Sequence, residues 1–291
     1  MKKQLRILIT GAGGLLGSQA IRFFSQESDV HAIVHSPVVE PVTGVNYHTL
    51  DLSADFDVST LPAQIDVVLH LAQSSKFRDF PAQALDVFNV NVSALAKLLD
   101  YARLANCQKF IYASSGGVYQ SGLPVVHENS PIGSHGELGY YLASKLCGEV
   151  LAQNYSSIMD VAVLRFFFIY GEQQRRSMLL PRLVDNVAAG RAIQLQGEDG
   201  LVINPVHVSD AVHALDKVLQ AEGSATFNVA GNQEVSIGAL CRAIGEMLGK
   251  SPVFERVDAK AGRLVANIDA LQALGWSPEV GIEQGLKDLI P

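Results

Sequence analysis

The run Leu5-Arg6-Ile7-Leu8-Ile9-Thr10-Gly11-Ala12-Gly13-Gly14-Leu15-Leu16-Gly17 constrains the fold more than any other stretch. Its apolar start reads as a buried strand, its glycines as a tight turn and its end as the beginning of a helix. A helix start offers unpaired backbone N–H groups and a partial positive charge, which suits a phosphate. Glycine lets the backbone turn sharply and come close to a pyrophosphate.

Short apolar runs alternate with longer amphipathic ones through the first half. Strands are expected at Leu5–Ile9, Val30–Val34, Tyr47–Leu50, Val67–Leu71, Phe110–Ala113 and Val161–Phe168, with helices at Leu15–Gln26, Ala82–Leu104 and Glu137–Tyr155. Continuous apolar strands alternating with helices indicate an α/β fold, a doubly wound parallel sheet covered on both faces. After about Gly171 helical runs dominate, at Met178–Ala189, Ser209–Gln220, Ser236–Leu248 and Ile282–Leu289, with short strands at Ile193–Gln196 and Phe227–Val229. The expected organisation is a Rossmann-like nucleotide-binding domain over residues 1–170 and a smaller C-terminal substrate lobe over 171–291, whose chain can cross back to the sheet. Ligands bind such sheets at the carboxyl ends of the strands.

Composition narrows the function. A net charge of −7 with no basic tract argues against a nucleic-acid or anionic-membrane surface. The longest apolar runs fall far short of a membrane span. Cys107, Cys147 and Cys241 are widely spaced, without zinc spacing, and read as buried reduced thiols of a cytoplasmic protein. No metal site is expected, and no signal peptide is apparent.

Tyr141 and Lys145 stand four apart on an expected helix, so they share one face. Such a pair also arises by chance. Upstream, however, a strand ends Tyr112-Ala113-Ser114-Ser115-Gly116-Gly117-Val118-Tyr119. With the spacing Gly11-x-x-Gly14-x-x-Gly17, these segments resemble the extended short-chain dehydrogenase/reductase family, in particular its NAD-dependent epimerase/dehydratase group. Further segments extend the resemblance over nearly the whole chain: His70-Leu71-Ala72-Gln73, Asn89-Val90-Asn91, Leu164 to Gly171, Gly197 to Asp210 and Leu274-Gly275-Trp276-Ser277-Pro278.

The resemblance implies a bound NAD or NADP. Gly11, Gly14, Leu15, Leu16 and Gly17 would line its pyrophosphate, Asp51 and Leu52 its adenine, and Leu71, Ala72 and Gln73 its far side. Asn89 would orient the active-site backbone, Ser114 would support the cofactor end, and Phe166 and Phe168 would flank the nicotinamide. At the ribose, Val34, His35 and Ser36 offer no carboxylate, which leans towards NADP, with His35 or Ser36 donating to a 2′-phosphate. The catalytic set would be Ser115, Tyr141 and Lys145. Hydride transfer at a carbinol carbon needs a proton moved at the attached oxygen. A free tyrosine pKa of about 10 is too high for that near neutrality, and an adjacent ammonium favours the phenolate. Lys145 would also hold the nicotinamide ribose, and Ser115 the substrate oxygen.

Two departures bear on the substrate. Phe168 replaces an asparagine, and Ile203 an arginine, that commonly contact a nucleotide-sugar diphosphate. Arg175, Arg176, Arg182 and Arg263 are substitute cations. The implied function is epimerisation or oxidoreduction of a sugar or nucleotide-sugar hydroxyl. The alternatives are an NADP-dependent reductase of a smaller ketone and a non-catalytic cofactor sensor. Gly116 and Gly117 stand where dehydratases carry acidic residues, and would leave room for a rotating intermediate. Apolar surplus on Ala82–Leu104 implies a homodimer.

Overall fold

The computed structural model describes residues 4–290. Strands β1 (Arg6–Thr10), β2 (Asp29–Val34), β3 (Asn46–Thr49), β4 (Val67–His70), β5 (Lys109–Ser115) and β6 (Asp160–Phe166) alternate with helices α1 (Leu15–Phe24), α2 (Ala84–Phe88), α3 (Ala94–Leu104) and α4 (Gly139–Gln153). The later elements include β7 (Ile193–Gln196), β8 (Val202–Ile203), β9 (Ala225–Val229), β10 (Val235–Ser236), β11 (Phe254–Val257) and β12 (Arg263–Leu264), with α5 (Leu179–Ala188), α6 (Val208–Gln220) and α7 (Ile237–Leu248).

The main sheet has seven strands in the order β3-β2-β1-β4-β5-β6-β9. β1 pairs in parallel with β2 and β4, β2 with β3, and β4 with β5. Reversal of strand order beside β1 creates the crevice where an α/β sheet binds ligands. β1 and β4 are apolar almost throughout because helices cover both faces of the sheet.

The chain packs as two compact units and passes back and forth between them. The first holds the described residues up to Val118, then Ser134–Arg165 and Leu215–Phe227; the second holds Tyr119–Gly133, Phe166–Ala214 and the chain from Asn228. The first unit's core joins Leu8, Ile33, Val68, Leu95, Leu98, Phe110 and Tyr112. The second gathers Tyr170, Leu183, Val184, Leu195, Ile203, Leu240 and Ile244. It carries the three-stranded sheet β10-β8-β12 and the pair β11-β7, of which only β7 is legible as a strand in the sequence.

Three expectations need correction. The helix expected over Ala82–Leu104 is interrupted by a π-helical turn at Asn89–Ser93. The strand expected to reach Phe168 ends at Phe166, and Phe168 takes a left-handed φ of 47°. All three cysteines are free, but Cys147 is exposed, lying on the outer face of α4. Among the described residues, no helix is long and apolar enough to cross a membrane.

Candidate active site

The glycine turn joins β1 to α1. Gly11 has φ 72°, and a Cβ there would stand 2.7 Å from the Ala72 nitrogen. A Cβ at Gly17 would overlap the Gly11 carbonyl. Both positions therefore require glycine for close packing of helix, turn and β4. Gly13 serves differently, because a Cβ there would meet nothing within 4 Å. The N-cap of α1 is Gly14, with no side-chain cap and no acidic residue in the first turn. Leu15 and Leu16 thus open a helix whose positive end is unanswered by the protein, and this fits the pyrophosphate of a dinucleotide.

At the ends of β2 and β3 the exposed His35 lies 3.8 Å from the Asp51 carboxylate, with Ser36 exposed beside it. Hydrogen bonds from the Ser53 hydroxyl and backbone hold Asp51 below the usual carboxylate range, with His35 adding a smaller pull. The tertiary structure therefore sets an ionised carboxylate next to the ribose-side strand, although β2 carries none at its end. Leu52 is buried in the core.

Behind the turn, the Thr10 hydroxyl accepts from the Ala72 N–H at 3.1 Å and lies 2.9 Å from His70 Nδ1. A hydroxyl can accept twice or accept and donate, so this contact serves either tautomer of the His70 ring, whose other nitrogen is Nε2. That buried nitrogen has no partner. Burial, reinforced by Lys145, pushes the His70 pKa down to about 3, so the ring is neutral. Leu71 is half-buried and Ala72 buried.

α4 lies close against β5 because Gly148 leaves space for the Tyr112 hydroxyl. On one face of α4, Tyr141, Lys145 and Glu149 follow at successive turns. Lys145 is 1% exposed and its ammonium donates to the Ala113 carbonyl at 2.9 Å. Burial pushes its pKa down to about 7, opposed in part by the Glu149 carboxylate. Glu149 is itself buried and forms a bidentate pair with Arg165, at 3.0 and 2.6 Å. The Ser114 hydroxyl donates to the same carboxylate. Ser114 thus serves a buried ion pair rather than standing free.

Ser115 ends β5, and its Oγ accepts from the Gly117 N–H at 3.2 Å. A Cβ at Gly117 would come 2.9 Å from Leu142 and 3.5 Å from Ser115 Oγ. The space expected to admit a rotating intermediate is therefore filled at Gly117 by Leu142. The glycine instead lets α4 bring Leu142, the neighbour of Tyr141, against the turn that follows Ser115. The Tyr141 hydroxyl donates to Gln73 Oε1 at 2.7 Å, and burial raises its pKa above the usual phenol range. The expected lowering by Lys145 is not what governs this phenol, because the ammonium is turned to Ala113.

Asn89 is the asparagine expected to orient the active-site backbone. Asn89 instead donates to the Ser53 carbonyl at 2.9 Å. Asn91, two residues on, accepts from the Ser74 N–H at 2.8 Å and donates to Ser144 Oγ at 2.9 Å. Ser144 in turn donates to the Tyr141 carbonyl at 2.7 Å. The π turn shifts the face that each asparagine presents, and periodicity does not register it. Glu149 was also missed, although its place one turn beyond Lys145 is a readable signal.

In the second unit, Phe168 packs against the apolar cluster and Ile203 is wholly buried within it, while Phe166 ends β6. Of the substitute cations, Arg176 pairs with Asp185 and Arg263 with Glu234. Arg182 lines a concave site of about 580 Å³ with Asn186, Gln194, Gln196 and apolar walls.

These features can be set beside known proteins. The chain is 28% identical over 306 residues to the UDP-glucose 4-epimerase of Mycolicibacterium smegmatis, covering 97% of this chain and 96% of that protein. It is 26% identical over 304 residues to the low-salt glycan biosynthesis protein Agl12 of Haloferax volcanii, with coverage of 97% and 96%. The structure of MoeE5 in complex with UDP-glucuronic acid and NAD matches it with a TM-score of 0.85 at 27% identity over 97% of both chains. The family model described as the NAD dependent epimerase/dehydratase family matches residues 7–230. The uncapped α1, the β5 serines and the Tyr141–Lys145 face all lie in that span, and the chain belongs to the NAD dependent epimerase/dehydratase family.

Proposed function

We propose that this protein is an NAD-dependent epimerase of a nucleotide sugar, with Tyr141 as its acid and base. The observation that carries the reading is the α4 face. Tyr141 and Lys145 share that face, with Lys145 held by the Ala113 carbonyl of the strand that ends at Ser115, while the α1 terminus in the same unit has no cap of its own. Bound NAD supplies a hydride acceptor at the sugar carbon and returns the hydride afterwards. Tyr141 removes the proton of the substrate hydroxyl through its own oxygen and later restores it. Ser115 Oγ hydrogen-bonds the same substrate oxygen and steadies the charge that develops there. Lys145, whose ammonium the Ala113 carbonyl holds one turn along α4 from Tyr141, is the cation of the set and would hold the nicotinamide ribose.

Gly11, Gly14, Leu15, Leu16 and Gly17 hold the pyrophosphate, and His35, Ser36, Asp51 and Leu52 the adenosine end. Leu71, Ala72, Gln73, Asn89, Ser114, Phe166 and Phe168 complete the cofactor surroundings. NAD is favoured over NADP because a 2′-phosphate would meet the ionised Asp51. The first unit is the cofactor domain and the second the substrate lobe. The MoeE5 complex and the mycobacterial relative support a UDP-sugar. A second reading, a reductase of a smaller ketone, is favoured by Phe168 and Ile203, neither of which can serve a diphosphate.

The decisive experiment denatures the purified protein, identifies the released nucleotide, and assays UDP-glucose epimerisation. NAD that survives dialysis and turnover without added cofactor are expected. Exchangeable NADPH consumed with a ketone would install the second reading. Tyr141→Phe should lower turnover about 10²-fold or more while still binding cofactor; unchanged turnover removes the proposed role.

The protein works as a homodimer. Leu85 is 77% exposed, Phe88 46% and Val150 56%, apolar side chains that α2 and α4 leave uncovered in their own unit. Sedimentation at micromolar concentration should find two copies. Its place is the cytoplasm, where Cys107, Cys147 and Cys241 stay reduced.

A further inference from the structure

Gln73 was expected to cover the cofactor, yet its carboxamide meets the hydroxyl of Tyr141. Its backbone is gripped on both sides. Before it, the Ala72 N–H donates to Thr10. After it, the buried Ser74 donates its N–H to Asn91 at 2.8 Å and its hydroxyl to Asp86 at 2.5 Å, and Lys76 Nζ reaches Asp86 at 2.9 Å. The same segment places the Phe77 ring 4.8 Å from the Tyr141 ring. Gln73 itself is exposed, so its side chain can turn while its Cα stays in place.

A neutral carboxamide can both accept from a phenol and donate to a phenolate, and Gln73 brings one to the Tyr141 hydroxyl. A carboxylate only accepts, and an alkyl chain does neither. The other titratable and charged groups facing this phenol are Lys145 on its own helix and Tyr112 of β5, whose ionisation Tyr141 opposes. Arg78 lies over the Phe77 ring, one ring further out. With Lys145 bound to Ala113, Gln73 is the group in direct contact with the hydroxyl.

We infer that Gln73 is a positioning residue for the reaction: its carboxamide accepts from the Tyr141 phenol and, turned by half a rotation, donates to the phenolate. The inference rests on the reading of Tyr141 as acid and base. The test is Gln73→Glu in the NAD-loaded enzyme, a change at an exposed position that leaves the core untouched. A carboxylate keeps the acceptor, loses the donor and adds a negative charge. The acid limb of the kcat/KM profile for UDP-glucose should therefore move up by about one pH unit or more. A wild-type profile in Gln73→Glu overturns the inference. If UDP-glucose is not turned over at all, the functional reading has failed separately, and the NMR signal of 13Cζ-labelled Tyr141, assigned by its loss in Tyr141→Phe, decides the contact. Movement of that signal in Gln73→Glu retains Gln73 as the partner of the hydroxyl, and a stationary signal overturns it.

Discussion

Helices α1 and α7 have similar lengths, ten and twelve residues, but opposite beginnings. α7 opens on Ser236, whose Oγ accepts from the Ala239 N–H at 3.0 Å, and closes on Gly249 with φ 64°. Ser236 also donates to Asp199, which Arg242 holds at 2.7 Å. α1 opens on a glycine, with no cap and no acid. One helix end is satisfied by its own protein, and the other is left for a ligand.

Buried side chains repeat the contrast. Among the described residues, lysine, arginine and glutamate are buried only in the first unit, as Lys109, Lys145, Glu149 and Arg165. The second unit buries Asn204, Asn228 and Asp210 and anchors them on backbone groups. Asn204 donates to the Gly231 and Ala266 carbonyls, and Asp210 accepts from the Glu279 and Val280 N–H groups. Amides so paired specify a fold at little electrostatic cost, and the one carboxylate among them, Asp210, is met by backbone N–H groups. Buried charges are costly; Lys109 is met at the start of β5 by the Val218 carbonyl, whereas Lys145, Glu149 and Arg165 cluster at the α4 face that carries Tyr141.

The contrast is tested first where it should be strongest. Glu149→Gln strands the buried Arg165 cation and should cost about 3–5 kcal/mol in denaturant unfolding. A loss below about 1 kcal/mol would mean that the pair is not load-carrying. A smaller effect is expected from pH. The folded pKa of Lys145, about 7, lies below its unfolded value of 10.5. Between these values the unfolded chain binds the extra proton, so stability should rise with pH, by at most about 1.4 kcal/mol per unit. Below pH 7 both states are protonated and this slope vanishes. In Lys145→Met the rise should disappear, as a comparison of the two stability–pH curves would reveal. The smallest effect belongs to the capped helix. Ser236→Ala should lower stability by about 1 kcal/mol and leave NAD retention unchanged. Loss of NAD in that variant would erase the distinction between the two helix ends.

Much of this was legible in the sequence because it is local. The β1–turn–α1 unit, the order of the first six strands and the Tyr141–Lys145 face follow from apolar periodicity and from the conformational needs of glycine. Their boundaries differ from the observed elements by few residues, except at Phe168. The short strands β8, β10, β11 and β12 were not legible, since two to four residues carry no periodicity of their own. Their pairing is decided by the partner strand.

Apolar periodicity and glycine placement thus carry the class of fold, the glycine turn before α1 and the Tyr141–Lys145 spacing, because each is encoded within one helix turn or one strand. Packing between distant segments set Asp51 beside His35, Asn91 rather than Asn89 on the Ser144 hydroxyl of α4, Leu142 in the space at Gly117 and Gln73 on the Tyr141 hydroxyl. These are contacts between segments distant along the chain, where register, a π turn and close packing select the partner, and no local propensity records that choice.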